Sequence, residues 1–315
     1  SSNIAQNEIT DNNGEYPIYG AAGFIKNVDF YKQDKPYIGI VKDGAGVGRV
    51  SVHPAKSSLI GTMQYIFPKE NIDIKFLAEF LKYQNLSRFY TGATIPHIYF
   101  KDYQNIPLKL PSLQKQKHIS AVLDKCTALI AKHKLMLEKY DTLVKSRFIE
   151  MFGDPRINSK NLPSVKFIDV IKLQRGFDLP VQERDSTGTI NVYGSNGVLG
   201  KHNEIKVKGP GIVTGRSGTL GKVYYVLEDY WPLNTTLFSV DTHGNNVIYL
   251  KYLLEAFELE RFTEGAGVPT LNRNIVHEKE IINAPLELQQ QFAAFVQQID
   301  KSKFEIWRYL KFSDI

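Results

Sequence analysis

The chain has 315 residues, of which 43% are hydrophobic, and its formal net charge is +6. This length is typical of about two domains, and the composition allows each domain to bury a core. A single cysteine, Cys126, excludes an internal disulfide framework and is typical of a reducing compartment. No apolar run reaches the about 18 residues that a membrane span needs. The polar start has no signal-peptide core, so we expect a cytoplasmic protein with no membrane partner.

The first third of the chain predicts a small mixed domain. A tyrosine–glycine turn at residues 19–23 precedes a β-rich run at 37–41 and a glycine-rich loop at 41–50. Residues 63–67 predict another strand, and the apolar spacing of residues 74–89 predicts a helix. The strands are short and no regular βαβ alternation is present, so a dinucleotide-binding fold is not indicated.

Residues 113–151 predict one long helix of on the order of 55 Å, ended by Gly153 and Pro155. Three neighbouring heptad columns run along it: Ile119, Cys126, His133 and Tyr140; Val122, Leu129, Met136 and Leu143; Leu123, Ile130, Leu137 and Val144. So wide a stripe needs a partner. We expect an antiparallel coiled coil with the related helix at 286–315, the alternative being that each helix packs on its own domain. The residues predicted to pair are Ile119, Val122, Leu129, Ile130, Leu137, Leu143, Phe292, Phe295, Ile299 and Ile306.

The second half repeats the first in the same order. The turn returns at residues 193–197 and the glycine-rich loop at 213–223, one residue longer. A strand at 236–240 and a helix at 248–262 follow, and the glycine–alanine segment at 92–98 returns at 265–271. Each copy then closes on a proline, Pro111 or Pro285, before a glutamine-rich helix start. The pattern predicts a tandem duplication, with a period far longer than the about 20–50 residues of solenoids.

The glycine-rich loops do not carry nucleotide chemistry. Residues 44–48 lack the dinucleotide spacing, and residues 216–223 fail as a phosphate loop because Arg216 and Val223 stand where glycine and Ser/Thr are required. The simpler interpretation is glycines in turns with positive φ. The seven histidines show no metal-ligand spacing, and no nucleophile elbow, nuclease cluster or methyltransferase tetrapeptide is present. We therefore expect a non-catalytic chain with no metal and no cofactor; an enzyme remains an alternative without a supporting constellation.

The loops do carry side chains suited to DNA. Arginine and lysine can donate to guanine or to phosphate, asparagine can pair with adenine, and glycine lets backbone approach a phosphate. Any one of these residues is as readily a solvated surface side chain, but their recurrence in matching loops of both copies favours binding. The candidate DNA-contacting residues are Lys26, Lys42, Arg49, His97, Tyr99, Lys101, Ser195, Asn196, Lys201, Arg216, Ser217, Lys222, Thr270, Asn272 and Arg273.

Several of these features together resemble the specificity subunits of type I restriction-modification systems. They are the helix entries at 111–116 and 285–290, the Met-Phe-Gly-Asp-Pro close at 151–155, and the paired glycine–alanine segments. The resemblance implies an α+β fold: two similar target-recognition domains, each a small sheet plus helices, joined and spaced by long antiparallel coiled-coil helices. The predicted boundaries are 1–111 for the first domain, 112–153 for the spacer helix, 154–285 for the second domain and 286–315 for the C-terminal helix.

The resemblance also implies a function. Each domain would read half of a bipartite site in double-stranded DNA, while the helices set the spacer and dock two methyltransferase subunits. S-adenosylmethionine and ATP are then expected only on partner subunits, including a restriction subunit. The second copy opens with residues 165–170, which have no counterpart in the first copy, so a short first domain is expected. The alternatives are a truncated or silent form, or a coiled-coil scaffold that does not read DNA.

Overall fold

The computed structural model describes residues 2–92, 95–265 and 269–311. The chain divides into two compact units, Ser1–Ala131 (unit 1) and Lys132–Ile315 (unit 2). The division falls inside a helix, so the segment predicted as a spacer contributes to both units. Parts of the glycine–alanine segments, and the end of the predicted C-terminal helix, lie outside the described residues.

Unit 1 contains two three-stranded sheets, with strand orders β2-β1-β5 and β4-β3-β6. Its elements are β1 (Tyr16–Gly20), β2 (Gly23–Val28), β3 (Tyr37–Val41), β4 (Val50–His53), β5 (Ser58–Leu59), β6 (Met63–Ile66), α1 (Ile74–Tyr83), α2 (Phe100–Tyr103) and the start of α3 (Leu113–Phe152). All five residues of β3 are buried, because α1 covers Ile38 and Ile40 while Tyr37 and Val41 pack on Leu59.

Unit 2 repeats both sheets and adds a fourth strand, giving the orders β10-β9-β13 and β12-β11-β14-β8. Two further strand pairs, β15-β16 and β17-β7, are antiparallel. The elements after α3 are β7 (Ser164–Lys166), α4 (Phe167–Val170), β8 (Lys172–Arg175), β9 (Ile190–Gly194), β10 (Gly197–His202), β11 (Gly211–Gly215), β12 (Val223–Val226), β13 (Tyr230–Pro232), β14 (Thr236–Asp241), α5 (Val247–Phe257), β15 (Thr263–Glu264), β16 (Thr270–Leu271), α6 (Arg273–His277), β17 (Glu280–Ile282) and α7 (Leu286–Lys311). The architecture confirms the predicted α+β fold and its duplication.

The predicted helices over 74–89 and 248–262 end earlier than expected. Asn85 (φ 48°) follows α1 and Glu258 (φ 57°) caps α5, and both adopt the left-handed conformation. A helix of L-residues cannot continue through that conformation. The chain resumes in each case as one short 3₁₀ turn, Leu86–Phe89 or Leu259–Phe262.

A buried glutamine near the start of each long helix holds the N-terminal end of an earlier helix, α1 in unit 1 and α5 in unit 2. In unit 1 the Asp73 N–H donates to Oε1 of Gln116 at 2.8 Å, and Nε2 of Gln116 donates to the carbonyls of Asn71 and Pro111. In unit 2 the Asn246 N–H donates to Oε1 of Gln289 at 2.9 Å. Both side chains are almost fully buried. The glutamine-rich helix entries seen in the sequence are therefore joints between helix and domain.

Helices α3 and α7 pack antiparallel within unit 2. The rings of Phe148 and Phe292 lie 5.5 Å apart, and Nζ of Lys303 contacts Asp141 at 2.6 Å. From the first pair to the second, the residue number rises on α7 and falls on α3, so the two helices run in opposite directions. This confirms the predicted antiparallel pairing for this part of α3. In the described part of the chain, no helix is both long and apolar enough to cross a membrane.

The covered stripe of α3 is narrower than the three predicted columns. Val144 and Phe148 are buried, whereas Val122, Leu129 and Leu143 are about half exposed. Cys126 is also exposed, so the expectation that it shares a packed stripe is wrong for this chain alone. The pairing of Val122, Leu129 and Leu143 with any other helix stays a prediction.

Candidate nucleic-acid interface

In each unit the glycine-rich loop pairs with the glycine–alanine loop through a matching β-bridge and a matching backbone hydrogen bond. Asp43 forms a β-bridge with His97, and Ser217 forms the matching bridge with Thr270. The Ile98 N–H donates to the Lys42 carbonyl at 2.9 Å, as the Leu271 N–H donates to the Arg216 carbonyl at 2.8 Å. We call this place the loop junction: residues 42–43 with 97–99 in unit 1, and residues 216–217 with 270–272 in unit 2.

The tyrosine–glycine turn lies against the glycine-rich loop in both units. Nη1 of Arg49 donates to the Ala21 carbonyl at 2.8 Å, and Nζ of Lys222 donates to Oδ1 of Asn196 at 2.7 Å. Ser195 lies beside Gly215, whose added Cβ would stand 3.3 Å from the Ser195 Cβ. Three loops that are distant in sequence therefore share one edge of each unit.

The glycines serve the close approach of these loops. Gly46, Gly48, Gly218 and Gly221 have positive φ, as predicted for turns. A Cβ on Gly215 would lie only 1.9 Å from the Thr219 carbonyl oxygen, so no other residue fits there. The described residues contain no group of three or more His, Cys, Asp or Glu side chains arranged to hold a metal ion.

The loop junction of unit 1 is partly neutralised. Nδ1 of His97 contacts the Asp43 carboxylate, and Nζ of Lys42 lies 3.5 Å from the same group. The His97 and Tyr99 rings lie 4.1 Å apart, and Nζ of Lys101 lies 5.2 Å from the centre of the Tyr99 ring. The structure thus brings four predicted residues together, with the aromatic face of Tyr99 half exposed between two basic side chains.

The loop junction of unit 2 borders a cavity of about 370 Å³. Its basic lining comes from Arg175, Arg216 and Arg273, which lie on three separate segments. Within residues 2–92, 95–265 and 269–311, none of these guanidinium groups has a carboxylate within 4.0 Å. Unit 2 therefore brings three arginines and one carboxylate, Glu264, to the place where unit 1 has an ion pair.

Some predicted contacts already have partners inside the protein. The Asn272 side chain caps α6 by accepting from the Asn274 N–H at 3.1 Å, and its Nδ2 donates to Oε2 of Glu264 at 2.8 Å. Asn196 is held by Lys222. Either asparagine would have to exchange these bonds in order to read a base, so both are better placed to shape the loops.

Lys26 and Lys201 lie on strands, away from the loops that share this edge. Lys26 stands on β2, where Nζ donates to the Thr10 carbonyl at 2.9 Å. Lys201 stands on β10, where Nζ donates to the Thr189 carbonyl at 3.4 Å. Each ties its hairpin to the segment before it.

Sequence reasoning missed Arg175, at the end of β8. Arg175 pairs with Leu237 of β14 in the sheet. This pairing brings the Arg175 side chain to the cavity that Arg216 and Arg273 also line. The search relied on loops that recur in both copies, and β8 has no counterpart among the described strands of the unit 1 sheet. The sequence signal for Arg175 was its place at the end of a short β-rich run, and this signal alone is too weak to indicate a binding site.

The buried His277 holds β8 in place through a hydrogen bond. The Leu173 N–H donates to Nε2 of His277 at 3.1 Å, so that nitrogen carries no proton. Burial lowers the pKa of His277 below its ordinary value, and the positive charges of Arg273 and Lys172 lower this pKa further. The strand that presents Arg175 is therefore fixed by a neutral imidazole.

The family model of the type I restriction modification DNA specificity domain matches residues 3–139 and 160–311 of this chain. The chain belongs to this family. Among curated members of the family, a type I restriction enzyme specificity subunit of Haemophilus influenzae is 21% identical over 312 residues, covering 91% of this chain and 80% of that protein. A type I specificity subunit of Mycoplasma pneumoniae is 23% identical over 317 residues, covering 92% and 83%.

Solved specificity subunits share the fold. The S subunit of a type I restriction-modification system from M. genitalium superposes with a TM-score of 0.63 at 17% identity, covering 99% of this chain and 88% of that one. A chain from a type I system solved to explain complex assembly and conformational transition gives a TM-score of 0.59 at 12% identity, covering 99% and 90%. At these identities the likeness establishes the fold alone.

Proposed function

We propose that this member of the specificity family reads a bipartite site in double-stranded DNA, one half-site through each unit. It would direct two methyltransferase subunits to methylate adenine there, and a restriction subunit to cleave unmodified DNA. The catalytic groups, S-adenosylmethionine and ATP would belong to those partners. The chain itself would supply position and sequence preference.

The observation that carries this proposal is the repeated loop junction. Two units of one chain join the same two loops through a matching β-bridge and a matching hydrogen bond, and both present basic and hydrogen-bonding side chains at that edge. Such side chains match the acceptors of phosphate and of base edges. A scaffold without DNA reading gives no reason for the same loop junction to recur in both units.

The test is co-expression with a type I methyltransferase subunit, followed by long-read mapping of adenine methylation. We expect one split motif that appears only when both proteins are present. Replacing residues 156–285 with the same region of another family member should change one half-site and leave the other. A stable complex without new methylation would contradict DNA reading and favour the scaffold or a silent form.

A further inference from the structure

Arg175, Arg216 and Arg273 line one cavity although they come from β8, the glycine-rich loop and α6. Arginine stays protonated at every physiological pH, so the three side chains bring three positive charges to one small volume. One carboxylate, Glu264, also lines the cavity, and its Oε2 accepts from Asn272. Three positive charges against one carboxylate leave the cavity lining with a net positive charge, which an anion would neutralise.

We infer that this cavity binds one phosphate group of the DNA backbone, and therefore anchors unit 2 without reading sequence. This inference rests on the proposed function. A guanine edge is neutral and is satisfied by one arginine through O6 and N7. It would leave the positive charge of the other two arginines unmatched. The oxygens of a phosphate group can accept hydrogen bonds from all three arginines, and its negative charge also neutralises part of theirs.

The half-buried position of two of the arginines strengthens this assignment. Arg216 and Arg273 are partly shielded from solvent, whereas Arg175 is exposed at the rim. Charges near a protein surface interact in an effective dielectric well below that of water, so attraction to an anion is stronger there than for a free surface arginine. Arg216 and Arg273 should contribute more than Arg175.

Unit 1 offers a contrast at the corresponding place. Lys42 takes the position of Arg216, and its charge is met by Asp43 at 3.5 Å. Phe100, the first residue of α2, stands where Arg273 begins α6. The described part of unit 1 thus has no matching set of three cations. Most of the salt-sensitive part of DNA binding is therefore assigned to unit 2.

The experiment measures binding of the full chain to a fluorescent 30-base-pair duplex across a salt series, using several unrelated sequences. Arg216→Ala and Arg273→Ala should weaken binding by on the order of ten- to a hundredfold on every sequence. The slope of log K against log salt should fall by about one for each lost phosphate contact. Arg273→Lys keeps the charge and should retain the slope. Lys172→Ala is the matched control, because it removes a positive charge from β8 outside the cavity lining.

Each outcome separates the cavity from the wider function. If the wild type binds DNA and the arginine variants keep its slope of log K against log salt, the cavity assignment alone is overturned. If the wild type does not bind DNA, both proposals are overturned. A changed sequence preference at unchanged slope would assign the arginines to a base and overturn the phosphate. A last outcome is that millimolar inorganic phosphate stabilises the wild type against heat, and Arg216→Ala loses this stabilisation but keeps the salt slope of DNA binding. That result would assign the cavity to free phosphate instead.

Discussion

Gln289 joins α7 to the first turn of α5: its Oε1 accepts from the Asn246 N–H at 2.9 Å, while its Nε2 donates to Oδ1 of Asn245 and to the Ala284 carbonyl. These bonds satisfy every polar atom of a side chain that has almost no contact with water. Removing it leaves buried donors and acceptors without partners, which costs far more than the net value of the bonds.

Gln289→Ala should therefore lower the free energy of unfolding by about 2–4 kcal/mol in urea denaturation. The adjacent Gln290 is exposed, so Gln290→Ala is the matched control and should stay within about 0.5 kcal/mol of the wild type. Equal effects from the two substitutions would show that the buried amide is not the joint described here.

The helix pair predicts a sharp difference between two residues of α3. Phe148 packs against Phe152, Tyr249 and Phe292, so Phe148→Ala should cost about 3–5 kcal/mol of stability. Leu143 is 46% exposed, and Leu143→Ala should change stability by less than about 1 kcal/mol. A large loss from Leu143→Ala in the isolated chain would contradict the narrow stripe.

His53 predicts a pH dependence of unit 1. Its ring is buried against Tyr37 and Tyr19, Nε2 lies 2.7 Å from Oγ of Ser51, and burial lowers its pKa to about 4. The unfolded chain, with an ordinary histidine pKa near 6.5, binds this proton first as pH falls. Stability is then fully present above about pH 6.5 and declines toward pH 4, by up to about 3 kcal/mol.

The measurement compares urea midpoints of wild type and His53→Gln between pH 7.5 and 4.5. The variant should lose less stability on acidification, although it starts lower at neutral pH. His118 is exposed, so His118→Gln should keep the wild-type pH profile. Parallel profiles for wild type and His53→Gln would show that His53 titrates normally.

Under the proposed function, the length of α3 should set the spacer of the DNA site. Duplicating residues 125–131 adds about 10 Å of helix and nearly two whole turns. We expect the unread spacer in the methylated motif to grow by about three base pairs, at about 3.4 Å each, while both half-sites stay the same. A one-residue insertion turns the helix by about 100° and should abolish methylation. An unchanged spacer after the seven-residue insertion would refute this role.

The sequence predicted the elements whose signal is local. The strand β3 and the extent of α3 appear in the structure almost residue for residue, and Gly153 ends α3 with φ 74° as a terminating glycine does. The early ends of α1 and α5 escaped prediction because the apolar spacing continues past Asn85 and Glu258, and only their left-handed backbone conformation ends the helix.

The candidate site was predictable only where the two copies agree. The loops around Lys42 and Arg216 were found by recurrence, and the structure brings them to matching loop junctions. Arg175 escaped because its neighbours in space come from distant segments, and such proximity is created by strand pairing rather than by sequence spacing. The exposed side of α3 escaped because a heptad pattern shows which residues are apolar, and only the partner helix shows which of them are covered.

The two glutamine joints are uncharged. Ionic strength screens contacts between charges over a distance of about 8 Å in physiological salt, but it leaves buried bonds between neutral groups almost unaffected. Rising salt should therefore loosen the hold on a polyanion at Arg216 and Arg273 while Gln116 and Gln289 keep each helix fixed to its domain. The chain would leave its ligand as an intact framework, ready to bind again without refolding.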